Sequence, residues 1–337
     1  MFAGLDLPLI WAGILMLAVF IYVVLDGFDL GIGMLFALFG EREERDVLMN
    51  TVAPVWDGNE TWLVMGGGGL FAAFPLAYAI LMPAMYAPII AMLLALVLRG
   101  VSFEYRWRTE RFKPFWDLCF IGGSALAAFS QGVILGALLQ GVAVEGRAYA
   151  GGWFDWLSPF SVLTGFGVVF GYALLGAAWL IMKTEGEIQR RARSMATVFT
   201  YVTVGMIVAV SLWTPFLGTD YWARWFAFPE LLLTAPVPLA VAATTVFLMR
   251  SLQDAQHEAR PFVLSLALFA LCFVGLGVSM FPWIIPTSVS VWDAAAPPSS
   301  QTFMLVGAMI LIPLILAYTA YAYIVFHGKV RIGEGYH

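Results

Sequence analysis

RGVSFEYRWRTERFK, residues 99–113, places five basic side chains between two apolar runs, residues 76–98 and 116–139. Each run is close to the roughly 20 residues an α-helix needs to cross bilayer hydrocarbon. Lysine and arginine stay preferentially on the cytoplasmic side when such helices insert. The stretch therefore reads as an inner loop, and it fixes the polarity of the chain on either side.

Nine such runs follow from the same test: residues 7–39, 52–74, 76–98, 116–139, 160–182, 196–217, 231–249, 261–285 and 303–326. The second is interrupted by polar residues and by Gly66-Gly67-Gly68-Gly69, and the seventh is short. Arg42 and Arg45 follow the first run; Lys183, Arg190, Arg191 and Arg193 the fifth; Arg250 and Arg260 the seventh; Lys329 and Arg331 the ninth. With the five of the opening stretch, 15 of the 17 basic residues lie in alternate gaps, and the other gaps hold only Arg147 and Arg224. The N-terminus is then outside and the C-terminus cytoplasmic. Eight spans would break the alternation. Trp153, Trp156, Trp222, Trp225 and Trp292 fall in outer loops, as an interfacial aromatic belt requires. Residues 102–115 interleave Phe103, Tyr105, Trp107 and Phe112 with basic residues and are expected to lie along the cytoplasmic interface.

Composition agrees. The chain of 337 residues is 61% hydrophobic and 12% charged, with mean hydropathy +0.87. Soluble domains run near about 45–50% apolar and about 25% charged, so a soluble globular class is excluded. No basic face exists apart from the sidedness pattern, which excludes nucleic-acid binding. Cys119 and Cys272 both lie inside apolar runs, too few and too deep for a disulfide framework or a thiolate metal site. Met1-Phe2-Ala3-Gly4-Leu5-Asp6 has no basic n-region, and the run after it is too long for a signal-peptide core, so a retained helix is expected. No repeat, low-complexity tract or extramembrane domain is visible.

The chemistry resides in the few carboxylates within these runs. Asp26 and Asp29, spaced i, i+3 in the inner part of the first run, share one helical face. A charged Asp at the centre of a span costs about 2.5–3.5 kcal/mol on insertion scales, so two on one face are candidates for proton exchange. Hydration near the inner interface, or neutralisation by Arg99, is the plainer reading. Trp56-Asp57-Gly58-Asn59-Glu60-Thr61-Trp62 opens the second run on the same side. A calcium loop is rejected, because the required Gly and distal Glu are misplaced. Asp57 or Asn59 can cap the helix while Trp56 and Trp62 anchor it, and the group still clusters with Asp26 and Asp29 toward the cytoplasm. Arg99 either snorkels or pairs with Glu104, with a carboxylate of the first span, or with a partner subunit. Gly66–Gly69 suits close packing of a helix or of a planar group. Pro282 and Pro286 with their neighbouring indoles read as structural. His257, His327 and His337 all lie outside the runs, so no histidine pair is offered to a haem inside the bilayer. No phosphate loop, nucleophile–base pair or metal-ligand cluster is present.

Three segments carry a family resemblance: Asp26-Gly27-Phe28-Asp29-Leu30-Gly31-Ile32-Gly33-Met34, Ala53-Pro54-Val55-Trp56-Asp57-Gly58-Asn59-Glu60-Thr61-Trp62, and Met280-Phe281-Pro282 to Ser288 with Trp292-Asp293-Ala294. Over its whole length the chain resembles subunit II of cytochrome bd-type quinol oxidases. The outer segment between the sixth and seventh runs is shorter than in longer relatives and resembles the cyanide-insensitive branch. The resemblance implies an all-α polytopic protein of the bacterial inner membrane with two four-helix bundles, residues 7–139 and 160–285, and a peripheral ninth helix, residues 303–326. It implies a partner subunit I holding two b-type haems, one d-type haem and the quinol site, a small single-helix subunit, and oxidation of quinol coupled to reduction of oxygen to water. This chain would bind no haem, a structural lipid or a quinone being the candidate occupant of the equivalent space. Asp26, Asp29 and Asp57 match positions proposed to line a proton path from the cytoplasm, joined here by Glu60 of the same inner cluster. Trp62 and Phe103 match positions near an oxygen route, with Arg99 beside them or at the subunit I interface. Two rivals remain. One is a stand-alone proton-coupled secondary transporter, disfavoured because the acids lie inward of the midplane. The other is a purely structural partner.

Overall fold

The computed structural model describes residues 4–333; Met1-Phe2-Ala3 and His337, read above, lie outside them. Helix α1, Leu7–Leu35, starts on Asp6, whose side chain accepts the Leu9 N–H at 3.1 Å. A 3-10 turn, Phe36–Leu38, ends it on the inner side, where α2, Arg42–Asn50, follows. Helix α3, Trp56–Ala73, returns outward; its 18 residues reach about 27 Å at 1.5 Å per residue. The short α4, Pro75–Ala84, precedes α5, Tyr86–Arg108, and then α6, Lys113–Gln140. An outer hairpin, β1 Val144–Glu145 and β2 Ala148–Tyr149, leads to α7, Pro159–Lys183, and α8, Gly186–Trp213. Two small outer helices, α9 Thr219–Phe226 and α10 Glu230–Thr234, precede α11, Pro236–Gln253, and α12, Arg260–Met280. A second outer hairpin, β3 Trp283–Ile285 with β4 Val289–Ser290, and the single turn α13, Val291–Ala294, lead to α14, Pro298–Val325.

Eight helical segments among the described residues are long and apolar enough to cross a membrane. Helix α3 is not one of them, because Asp57, Asn59, Glu60 and Thr61 make its inner end polar. The loops sort by contact into two groups. On one side Arg191 binds Glu44, Arg193 binds the Ser251 and Leu252 carbonyls, and Lys329 binds Glu258. On the other, Tyr221 donates to the Leu139 carbonyl and Trp292 to Asp6. The first group joins loops that carry most of the basic residues.

Several boundaries differ from the expected ones. The run at residues 76–98 is broken at Met85, because Pro83 and Pro88 each lack the N–H that would continue the ladder. Helix α5 then extends to Arg108, so residues 102–108, expected to lie along the interface, continue the span and bury Ser102, Phe103 and Arg106. That burial is tolerable because Arg106 meets two carboxylates there. Helix α8 starts ten residues before the expected 196, carrying Arg190, Arg191 and Arg193 on its inner turns. The eighth run stops at Met280, since Pro282 turns the chain into β3.

The core lies where α1 meets α3, α6 and α7. At the α1–α7 crossing a Cβ on Gly31 would stand 2.0 Å from the Tyr172 carbonyl oxygen, and one on Gly176 2.6 Å from the Gly31 carbonyl carbon. The two backbones touch, which only glycine permits. In the Gly66–Gly69 run, Gly66 and Gly69 face Val19 and Leu15 of α1, whereas Gly67 and Gly68 face open space. Helix α14 rests on α1 and α3 and is largely exposed.

Candidate functional site

The inner halves of α1, α3 and α5 bring one cation and three carboxylates together. Asp26, Asp29 and Arg99 are each fully buried. Arg99 Nη1 donates to Asp26 Oδ1 at 2.6 Å, and Arg99 Nη2 stands 3.2 Å from Glu60 Oε1 without the alignment of a hydrogen bond. Of the partners open to Arg99 in the sequence, the carboxylate of the first span is the one engaged; Glu104 pairs instead with Arg108 at 3.4 Å on the exposed side of α5. Ser102 Oγ donates to the Arg99 carbonyl at 2.6 Å, pinning the turn that carries the guanidinium.

Asp29 has different company. Its Oδ2 accepts from Asn59 Nδ2 at 2.7 Å, and no cation is hydrogen-bonded to it. Asn59 Oδ1 in turn accepts from the Tyr323 hydroxyl at 3.0 Å, across 264 positions of sequence. Asp26 Oδ2 and Asp29 Oδ1 are buried with no hydrogen-bond partner. Such oxygens carry a desolvation cost unless a proton, water or donor reaches them. One turn outward from Asp26, Gln131 links two phenols: Tyr172 donates to its Oε1 at 2.7 Å, and its Nε2 donates to the Tyr22 hydroxyl at 2.8 Å.

Exposure is graded across the group. Asp57 is exposed, the Glu60 side chain is 25% exposed, and Asp26 and Asp29 are closed off. Trp62 is buried beside Ala18 and Tyr22, with its indole N–H unpartnered. Phe103 stacks on Trp56 with centroids 4.8 Å apart and planes 5° off parallel, and Arg99 lies 6.0 Å over its ring. Asp26, Asp29, Glu60, Arg99 and Phe103 thus converge; Trp62 sits one turn further out, and Asp57 stands apart on the exposed face.

Sequence reasoning missed Tyr323 and Gln131, and it missed a second ionic group nearer the inner surface. Fully buried Arg106 donates through Nε to Asp117 at 2.5 Å and through Nη1 to Asp46 at 2.6 Å. Arg45 shares Asp117 at 3.0 Å, and Lys113 lies 3.6 Å from Asp46. An Asp at the head of an apolar run was the available signal for Asp117, and a lone amide within a run for Gln131. Outside the spans, the Arg42 hydrogen bond and charge hold the Glu110 carboxyl below its ordinary range.

Neither His257 nor His327 lies within a membrane-spanning helix. His257 pairs with Asp254 at 2.8 Å in an inner loop, and His327 contacts the Ile324 carbonyl beyond α14. Among the described residues no group of three His, Cys, Asp or Glu side chains is arranged to hold a metal ion.

Comparison with known proteins places the chain beside respiratory subunits. The family model described as cytochrome bd terminal oxidase subunit II matches residues 7–326. A probable cytochrome oxidase subunit 2 of Haemophilus influenzae is 30% identical, over 96% of this chain and 95% of its own length. The cytochrome bd-I ubiquinol oxidase subunit 2 of Escherichia coli is 31% identical, over 92% and 91%. A chain of the bd oxidase structure from Geobacillus thermodenitrificans superposes with a TM-score of 0.74 at 18% identity, covering 96% of this chain and all of that one. That likeness is one of fold.

Proposed function

Because the chain belongs to the cytochrome bd terminal oxidase subunit II family, we propose that it is the haem-free half of a quinol:oxygen oxidoreductase and supplies part of its cytoplasmic proton-uptake route. It is a multi-pass protein of the bacterial inner membrane and a subunit of an oxidoreductase complex in respiratory electron transport. Our reading adds a haem-bearing subunit I with two b-type haems and one d-type haem, a small single-helix subunit, a membrane quinol, and lipid or quinone where subunit I holds haem. The two bundles of residues 7–139 and 160–285, with α14 at the periphery, belong to the same proposal.

The observation that carries it is the graded exposure of carboxylates around one guanidinium. Asp57 and Glu60 face the side from which a proton arrives, and Asp26 and Asp29 hold the closed end. Within the route the residues divide the work. Asp26 serves as the counter-ion of Arg99, which lets a cation stay inside the protein. Asp29, offered an amide rather than a cation, is the carboxyl that takes up and passes on a proton. Glu60, between the exposed face and Arg99, hands the proton inward. The haems, held in the partner, supply the electron transfer. Trp62 and Phe103, both buried and apolar, we assign to the wall of an oxygen route beside Arg99.

Asp29→Asn and Asp57→Asn in the purified complex test this. Haem content should stay near wild type while proton-coupled oxygen reduction slows. Wild-type turnover in both variants removes the proton role. A transporter predicts instead that the single purified chain moves a solute without haem.

A further inference from the structure

Asn59 is an asymmetric group between two others. Its N–H₂ faces Asp29 Oδ2 at 2.7 Å and lies 3.4 Å from the Leu25 carbonyl, while its oxygen accepts from Tyr323. Turned over, the same amide would aim an acceptor at Asp29 in place of a donor. A donor suits a carboxylate and an acceptor suits the protonated acid, so the orientation of the amide biases the proton on Asp29. Tyr323 supplies the hydroxyl donor to Asn59 Oδ1 among the described residues.

We propose that Tyr323 is a positioning residue for Asp29, acting through the Asn59 amide. The inference rests on the reading that Asp29 exchanges a proton. The other ionisable groups facing that carboxyl are Asp26 on α1, Glu60 on α3 and Arg99 on α5, while Tyr22 and Tyr172 face Asp26. None of them touches Asn59 Oδ1, so none substitutes for Tyr323. The reach of Tyr323 depends on how α14 is held. Its ring edges abut Phe28 and Trp179, with centroids 6.4 Å and 6.1 Å apart. Below it, Lys183 donates to the Phe326 and Gly328 carbonyls, and the Val330 N–H returns to the Lys183 carbonyl at 2.9 Å. A clasp at the end of α14 thereby sets the height of the Tyr323 hydroxyl against Asn59.

The test is Tyr323→Phe in the purified complex, which keeps the ring and its two aromatic contacts. Turnover should fall roughly three- to tenfold, the range that loss of one buried hydrogen bond gives, and its pH profile should change. An infrared difference band that Asp29→Asn abolishes should move in Tyr323→Phe. With Asn already at 29, Tyr323→Phe should do nothing further. An unchanged pH profile and an unmoved band overturn the proposal while leaving the proton role of Asp29 intact. Wild-type turnover in Asp29→Asn overturns both. If Tyr323→Phe does not assemble, Lys183→Gln, which loosens the clasp below Tyr323 and leaves Asn59 and Asp29 in place, carries the test: its pH profile must change only while Asp29 is present, and an unchanged profile overturns the proposal.

Discussion

Arg99 and Asp26, 73 positions apart in the chain, meet at 2.6 Å with neither side chain exposed to solvent. A pair so placed stays whole or fails as a unit. Removing Asp26 leaves the guanidinium with Glu60 alone, 3.2 Å away and unaligned, in a medium that solvates it poorly, at a cost of up to about 3–5 kcal/mol. Asp26→Asn should therefore lower the thermal stability of the assembled complex more than Asp29→Asn does. Adding Arg99→Gln to Asp26→Asn should recover part of the loss. A differential scanning measurement in detergent that ranks the two single variants equally would refute the division of roles.

The ionic group nearer the inner surface makes a parallel case. Asp117→Asn should destabilise by a similar amount, because Arg106 is buried and loses its shortest contact. Glu110→Gln, which breaks the exposed Arg42–Glu110 pair, should leave the melting temperature unchanged within error. The contrast between the two is the test, since both remove one carboxylate from the same inner face.

Backbone contact between α1 and α7 makes Gly31 intolerant of any side chain. Gly31→Ala places a carbon 2.0 Å from a carbonyl oxygen that is fixed in a helix, so expression of folded chain should collapse. Gly68→Ala meets open space and should be neutral or gain up to about 1 kcal/mol from helix propensity. Yields of membrane-inserted protein, compared side by side, decide this.

Acid should release the segment beyond α14. Lys329 and Gln189 hydrogen bonds to Glu258 hold that carboxyl below its ordinary range. A carboxyl held low in the folded state contributes stability above its ordinary value, and the contribution is lost as pH falls through the lowered one. Protease cleavage after residue 326 should accelerate as the medium is taken below the usual carboxylate range, and Glu258→Gln should cleave fast at neutral pH. Equal cleavage of the two chains at neutral pH would rule out the docking role.

Most of the apolar helices were readable because hydropathy acts locally, each run deciding its own insertion. The pairing of Arg99 with an acid of the first span was among the sequence's own options, since the two sit at one depth. What could not be read depends on pairs far apart in the chain. No periodicity links Tyr323 to Asn59, 264 positions away. The inner end of α5 was misjudged for a related reason. Arginines and aromatics in alternation describe an interfacial strip equally well, and only Asp46 and Asp117, supplied by other helices, draw Arg106 inside. The break at Met85 was marked by Pro83 and Pro88, but proline is common enough in membrane helices that the signal does not separate a kink from a stop.

Helix α14 is the least enclosed of the spans, yet it delivers the hydroxyl that binds the Asn59 amide beside Asp29. In order of synthesis, α1 and α3 emerge long before it. A nascent chain stalled ahead of α14 would already hold its ion pair and its glycine crossing but would lack the finishing touch on the amide. A chain cut short before α14 would thus differ in the partner of one amide and keep the α1–α7 contact.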